Sequence, residues 1–266
     1  MLSPTARPGR GGAPENVQAV DPTAGAAGDW TVMNPRAQAE WLRRVEAEYR
    51  SSVVTQHLTL WLTQAGASPD LLYAGLRIAA DELDHADLSM AVYRAAGGAA
   101  TPHLSRESLE HPRRSGDPLE WDIVRVGVDA FCLGETVAVP LFRHLREGCD
   151  EPAAKAALQR ILRDEVRHRD FGWTLLDAML ATPLAAPLRA LVARELPGWF
   201  ARVRESYAPA FAAAHTEVSP DDRRWGLMAP ARYAAVVAKT LERDWVPRFA
   251  ARGIDARAAW GGAVTS

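Results

Sequence analysis

Two glutamate–histidine pairs of identical spacing mark this chain: Glu82-Leu83-Asp84-His85 and Glu165-Val166-Arg167-His168. Each is preceded by a further glutamate, Glu48 before the first pair and Glu135 before the second. Residues three apart on a helix lie about 300° around its axis, so each pair presents a carboxylate and an imidazole on one face. Four carboxylates and two imidazoles on four helices are the donor set of a dinuclear, carboxylate-bridged metal site inside a helical bundle.

The neighbours of these acids argue that they point inward. Glu135 shares its face with Val128, Phe131, Cys132 and Val139, and Glu165 sits among Leu158, Ile161, Leu162 and Gly172. An unpaired buried carboxylate is costly, so four of them with two histidines imply cations that neutralise them. Oxygen-rich ligation with two imidazoles suits two iron ions, and manganese accepts the same set; zinc prefers four ligands and calcium rarely takes histidine. Glu46 competes with Glu48 for the first-helix role. Arg43 and Arg50 flank Glu46 at helical spacing and mark a solvated face, whereas Glu48 lies with Val45, Ser52 and Thr55. Asp81 and Asp164 each stand one residue before a motif glutamate, where an aspartate can accept the second ring N–H of a ligand histidine and fix its tautomer.

Helices are required to bring these residues together, and the pattern supplies them. Apolar spacing predicts a first helix from Pro35 to Ala65, and Gly66-Ala67-Ser68-Pro69 breaks it, with Ser68 as N-cap of a second helix that ends at Gly97-Gly98. Ala99 to Pro118 reads as the one long crossover of such a bundle. A third helix is expected over Leu119–Glu147, kinked at Pro140, and a fourth from Pro152 to about Leu180. Two more helices are expected beyond Pro183, one bearing the stripe Phe200, Val203, Tyr207, Phe211 and one near Ala229 to Trp245. No segment alternates with the period of a strand for long enough to suggest a sheet. The organisation read from this is a disordered, Pro- and Gly-rich arm over 1–33, a four-helix bundle over 34–181, and a helical extension over 182–266 packed on the bundle.

The stretch from Glu48 through Gly66-Ala67, with Ala79-Ala80-Asp81-Glu82-Leu83-Asp84-His85-Ala86, resembles the first half of bacterial ferritin-like diiron-carboxylate proteins. Gly134-Glu135-Thr136 and Ala156-Ala157-Leu158 through Arg163-Asp164-Glu165-Val166-Arg167-His168 are similar to their second half. The resemblance spans about residues 35 to 180. It implies an all-α, ferritin-like four-helix bundle with additional C-terminal helices, and metal ligation by Glu48, Glu82, His85, Glu135, Glu165 and His168. It also implies that Asp81 and Asp164 each bond the histidine of the opposite half. The superfamily contains ribonucleotide reductase radical subunits, fatty acyl desaturases, hydrocarbon and arylamine oxygenases, ferritins and dimanganese catalases. The implied function is a non-haem diiron oxygenase or oxidase that activates dioxygen to hydroxylate, N-oxygenate or desaturate a small organic substrate in bacterial specialised metabolism. A ferredoxin or reductase would supply electrons. The alternative is a ferroxidase or a dimanganese-catalase-like protein that handles metal or peroxide.

Other residues invite two readings. Ser51, Ser52, Thr55 and Gly134 either leave a substrate cavity beside the metals or let helices approach closely. Tyr49 and Tyr93 are candidate radical or proton carriers as well as ordinary packing groups. His57 and His144 each follow a ligand glutamate by nine residues, which turns them away from the site. A net charge of −2 over 266 residues gives no electrostatic reason for a nucleic-acid or anionic-membrane partner, and a homodimer is compatible with the chain. Cys132 and Cys149 alone make no disulfide framework and no C-x-x-C metal motif, and no hydrophobic leader or span is visible, so a cytoplasmic protein is expected.

Overall fold

The computed structural model describes residues 33–111, 113–114, 116–207 and 217–262. The N-terminal arm expected over 1–33 therefore lies outside the described residues except for Met33, as do Phe211 and His215.

Helix α1 (Pro35–Gln64) starts where Asn34 accepts the Ala37 N–H through its side chain (2.8 Å) and Pro35 occupies the first helical position. It stops at Ala65, and Gly66 takes a positive φ of 70° in the turn that follows. Helix α2 (Pro69–Ala95) begins after Ser68, which holds the N-cap place without a side-chain cap bond, and ends before Gly97. These two helices pack closely: a Cβ on Gly75 would stand 2.3 Å from Thr59 Oγ1, so any larger residue would have to displace that hydroxyl. The crossover contains a short 3-10 turn, Arg106–Leu109.

The third rod departs from expectation. Leu119–Val126 (α3) and Thr136–Glu147 (α4) are α-helical, but Gly127–Glu135 between them is a π-helix. Pro140 lies within α4, downstream of this irregular stretch. A widened turn inside a helix changes the side-chain period too little over nine residues to be read from apolar spacing. Helix α5 (Pro152–Leu180) completes the bundle, with Pro152 at its first helical position. It meets the π segment so tightly that a Cβ on Gly172 would come within 2.4 Å of Phe131 Cβ and 2.9 Å of its backbone carbon.

After the bundle come α6 (Ala185–Tyr207), α7 (Pro220–Arg224), α8 (Pro230–Thr240), a second π turn (Leu241–Trp245), α9 (Val246–Ala250) and α10 (Ala256–Gly262). No strand occurs among the described residues. The extension is richer in helices than the two that the pattern suggests, because pieces of five to seven residues are too short to show a period. Trp41, Trp199, Trp245, Phe131, Phe200 and Phe249 are fully buried in one apolar core that runs from α1 to α10. Buried indoles find acceptors across elements. Trp41 Nε1 donates to the Trp225 carbonyl (3.0 Å), Trp173 Nε1 to Thr136 Oγ1 (3.0 Å) and Trp245 Nε1 to the Cys132 carbonyl (3.1 Å). The last of these ties the extension to the π segment that ends at Glu135.

Candidate metal centre

Glu48 comes from α1, Glu82 and His85 from α2, Glu135 from the end of the π segment, and Glu165 and His168 from α5. The bundle brings all six side chains together. Atoms of Glu48, Glu82, His85 and Glu165 lie within 4.8 Å of one another, and so do atoms of Glu82, Glu135 and His168. Glu82 belongs to both groups. Glu165 reaches both histidines, with 3.6 Å to His85 Nδ1 and 3.4 Å to His168 Nδ1. The two imidazoles face each other at 5.6 Å between centroids, and neither has any exposure.

The hydrogen bonds leave one pattern of atoms unused. His85 Nε2–H donates to Asp164 Oδ2 (3.3 Å) and His168 Nε2–H to Asp81 Oδ2 (3.4 Å). With the ring protons on Nε2, both Nδ1 lone pairs point at the carboxylates. Nδ1 of His85 and His168, and one Oε2 each of Glu82 and Glu165, are buried without a hydrogen-bond partner. Buried polar atoms are rarely left so in native proteins. Four of them converging on one spot fit a pair of cations, and neutral imidazole with its other nitrogen held by a carboxylate is the form that ligates metal.

Charge tells the same story. Burial first, then the Glu82 carboxylate, raise the Glu48 carboxyl well above its usual range; burial and then Glu165 do the same to Glu135. Burial also raises Glu165. Burial would raise Glu82 too, but the His168 and His85 imidazoles beside it overcome that and bring its pKa to about 2. His168 would be lowered by burial, yet Glu165 and Glu82 lift it to about 11. Without cations the cluster retains protons, and metal binding exchanges those protons for metal charge.

Several participants are not evident from ligand spacing. Ser51 Oγ donates to Glu82 Oε1 (3.0 Å). Arg167 bridges the two orienting aspartates, 3.0 Å from Asp81 and 2.8 Å from Asp164. Arg160 makes a close pair with Asp164 and reaches Asp81 (3.7 Å) and Asp84 (3.4 Å). Each guanidinium thus contacts both of the aspartates that accept from the histidines. Arg167 is inside the second motif, whereas the first motif has Asp84 at that place; Arg160 is one turn before Asp164.

Other candidates fall elsewhere. Glu46 is partly solvated and pairs with Arg50 (3.8 Å). Tyr49 is 40% exposed, and Tyr93 is buried with its hydroxyl accepting the Ala100 N–H. Ser52 Oγ donates to the Ala79 carbonyl (2.7 Å) and Thr55 Oγ1 to the Ser51 carbonyl (2.8 Å), both fully buried, so these hydroxyls are consumed in helix packing. His57 turns to Trp61 and His111, and His144 to Glu147.

No protein-family model matches the chain, and no curated protein does. Among solved structures, a similar chain is a Synechococcus protein with aldehyde deformylating oxidase activity. The likeness covers 90% of this chain and 98% of that one, with a TM-score of 0.55 and 17% identity. The scaffold is therefore the helical ferritin-like fold, and it encloses a buried glutamate–histidine cluster able to bind metal. Among the described residues, no helix is long and apolar enough to cross a membrane.

Proposed function

We propose that the protein is a dioxygen-dependent diiron oxidoreductase that oxidises a small organic molecule by hydroxylation, N-oxygenation or desaturation. The observation that carries this is the convergence of two buried, unpartnered imidazole Nδ1 atoms on three buried carboxylates and the half-buried Glu135, with each Nε2 held by an aspartate. The likeness in fold to a protein with aldehyde deformylating oxidase activity supports oxidation chemistry on this scaffold.

In this reading Glu48, Glu82, His85, Glu135, Glu165 and His168 would hold the pair of ions, with Glu82 common to both groups of donors. Bound iron supplies the redox equivalents that activate dioxygen. Asp81 and Asp164 keep both histidines in the ligating tautomer, and Arg160 and Arg167 hold those aspartates in place. Ser51 restrains Glu82 on the α1 side. The burial of Glu48, Glu82 and Glu165 and of both histidines limits bulk water at the reacting atoms. Residues 34–181 supply the centre, the described part of the extension walls its approach, and the electrons come from a ferredoxin or reductase in the cytoplasm.

Metal analysis of the purified protein and rapid mixing of its Fe(II) form with oxygen test the reading. Two irons per chain and oxygen consumption coupled to an oxidised organic product are expected. Iron oxidation without any organic product, or peroxide disproportionation by a manganese form, would replace it with the metal- or peroxide-handling alternative.

A further inference from the structure

The outer side of the α1–α2 hairpin carries apolar surface that no other described element covers. Seven large hydrophobic residues stand exposed among the described residues, and five of them are Tyr49 and Leu60 of α1 and Tyr73, Leu76 and Leu83 of α2. On α2, Tyr73, Leu76, Ala80 and Leu83 recur at the three- and four-residue steps that make one stripe, and all four are exposed. Tyr49 and Leu60 are three turns apart on α1 and so share a face. The antiparallel register of the hairpin is fixed by Ser51 against Glu82, Ser52 against Ala79 and Thr59 against Gly75. That register sets Tyr49 beside Leu83 and Leu60 beside Tyr73, so the two stripes merge into one patch. Single exposed apolar residues need no explanation, but a contiguous patch marks an interface.

The charges on α2 say what fits there. Arg77 and Asp87 flank the stripe, both exposed, and neither makes an ion pair or a hydrogen bond among the described residues. Asp84 lies 3.4 Å from Arg160 and keeps 65% of its side chain exposed. A second α2 laid antiparallel across the first, with a two-fold axis at Ala80, pairs residues at matching steps on either side of that axis. Leu76 then meets Leu83 of the partner subunit, and Arg77 meets Asp84 of the partner subunit. Tyr73 brings its hydroxyl to Asp87 of the partner subunit. At the axis Ala80 meets its own copy, and its small side chain lets the helices close. A surface that complements itself in this way is what a two-fold interface requires. Helix α2 has 27 residues. With α1 beside it, the face measures about 40 Å by 20 Å, roughly the 800 Å² per partner of a stable protein interface.

We propose that this face joins two copies of the chain, α2 against α2, about a two-fold axis at Ala80. The interface extends towards the candidate centre, because Asp84, which receives Arg77 of the partner subunit, neighbours Arg160, and Arg160 also contacts Asp81 and Asp164. The dimer does not depend on which metal the centre takes. Sedimentation equilibrium of the full-length protein at micromolar concentration should give twice the 29.0 kDa of one chain. Leu76→Glu combined with Leu83→Glu should raise the dissociation constant about 100-fold or more, since each charge enters the apolar contact twice. Both side chains are exposed in the single chain, so the helical circular dichroism of this variant should be unchanged. Ala80→Cys should oxidise to a disulfide-linked dimer, and Tyr73→Cys, two turns from the axis, should not. The native Cys132 and Cys149 are buried and do not compete. A monomeric wild type, a dimer that survives the double glutamate variant, or cross-linking through Tyr73→Cys in place of Ala80→Cys would overturn the proposal. A monomer that floats with phosphatidylglycerol vesicles would overturn it too, and would give the face to a lipid surface.

Discussion

His85 takes its orienting carboxylate from the other half of the chain: its Nε2 lies 3.3 Å from Asp164, 79 residues away, and His168 takes Asp81 in return at 3.4 Å. Neither Asp-Glu-x-x-His motif is complete on its own helix. The exchange makes α2 and α5 mutually dependent, so disturbance of either motif should be felt at both metal positions.

The first prediction concerns stoichiometry. The six donors exceed what one ion of ordinary coordination number requires, so the protein should saturate at two divalent metals per chain. His85→Ala should lower the count to one or less, and a chelator should lower the melting temperature of the loaded protein by removing a ligand specific to the folded state. Saturation at a single metal in reconstituted wild type would contradict the assignment.

Asp164→Ala should weaken metal affinity by roughly 10–100-fold, the usual effect of losing a group that orients a ligand histidine. Because the lost partner belongs to His85, the electronic spectrum of a cobalt-loaded protein should change at the position held by Glu48 and His85 first. Unaltered affinity in both Asp164→Ala and Asp81→Ala would show that these carboxylates serve only Arg160 and Arg167.

Gly172→Ala tests the close approach of α5 to the π segment. The added methyl meets Phe131 Cβ and backbone, which cannot rotate aside. Overpacking of this kind costs about 1–3 kcal/mol, measurable by denaturant titration of the metal-free protein. Gly198→Ala is the control, since nothing stands within 4 Å of a Cβ there. Equal stability of the two variants would mean that the rods are less tightly seated than described.

Acid should loosen the junction between α1 and α7. Asp222 is 3% exposed and accepts from the Ser219 backbone (3.1 Å), Asn34 (3.3 Å) and Arg36 (2.9 Å). Burial would raise its pKa, but the Ser219 bonds, Asn34 and Arg36 hold it below the usual carboxylate range. A depressed folded pKa gives stability that is present above the unfolded value of about 3.9 and is lost as pH falls through the folded one. Asp222→Ala should therefore cost about 1–3 kcal/mol at neutral pH, and the gap to wild type should close below about pH 4. A gap independent of pH would assign the loss to packing.

The four main helices and their inward acids were legible because each depends on local signals. Pro35, Pro69 and Pro152 mark the starts, Gly66 and Gly97 the stops, and a glutamate within an apolar stripe is conspicuous. The offset between the two motif sets even suggests the paired halves. What escaped the sequence is set by tertiary contact. Ser51 looks like any small helix residue until α2 places Glu82 against it. Ser52 and Thr55 fit a cavity wall by size, but their hydroxyls are spent on helix carbonyls. Arg160 and Arg44 carry no local signal, since nothing in their neighbours along the chain shows that aspartates from two helices, or two aromatic rings, enclose them. Tyr207 stood out as part of an apolar stripe, and only the path of α6 sets its ring against Tyr233.

The nine-residue π stretch has a consequence for how the third rod is phased. Upstream, α3 seats against α1 and α6; downstream, α4 seats against α5 and α8. A single uninterrupted α-helix would lock these two sets of contacts to one angular register, because each added or removed residue rotates everything beyond it by about 100°. The wide turns uncouple them, so each end of the rod can be clocked to its own neighbours. Glu135 sits at the last residue of the uncoupler, where its bearing is set by α4 and not by α3. Removing one residue from this stretch, which narrows a wide turn to an ordinary one, should therefore disturb the bearing of α4 less than removing one from α3 or α4 themselves.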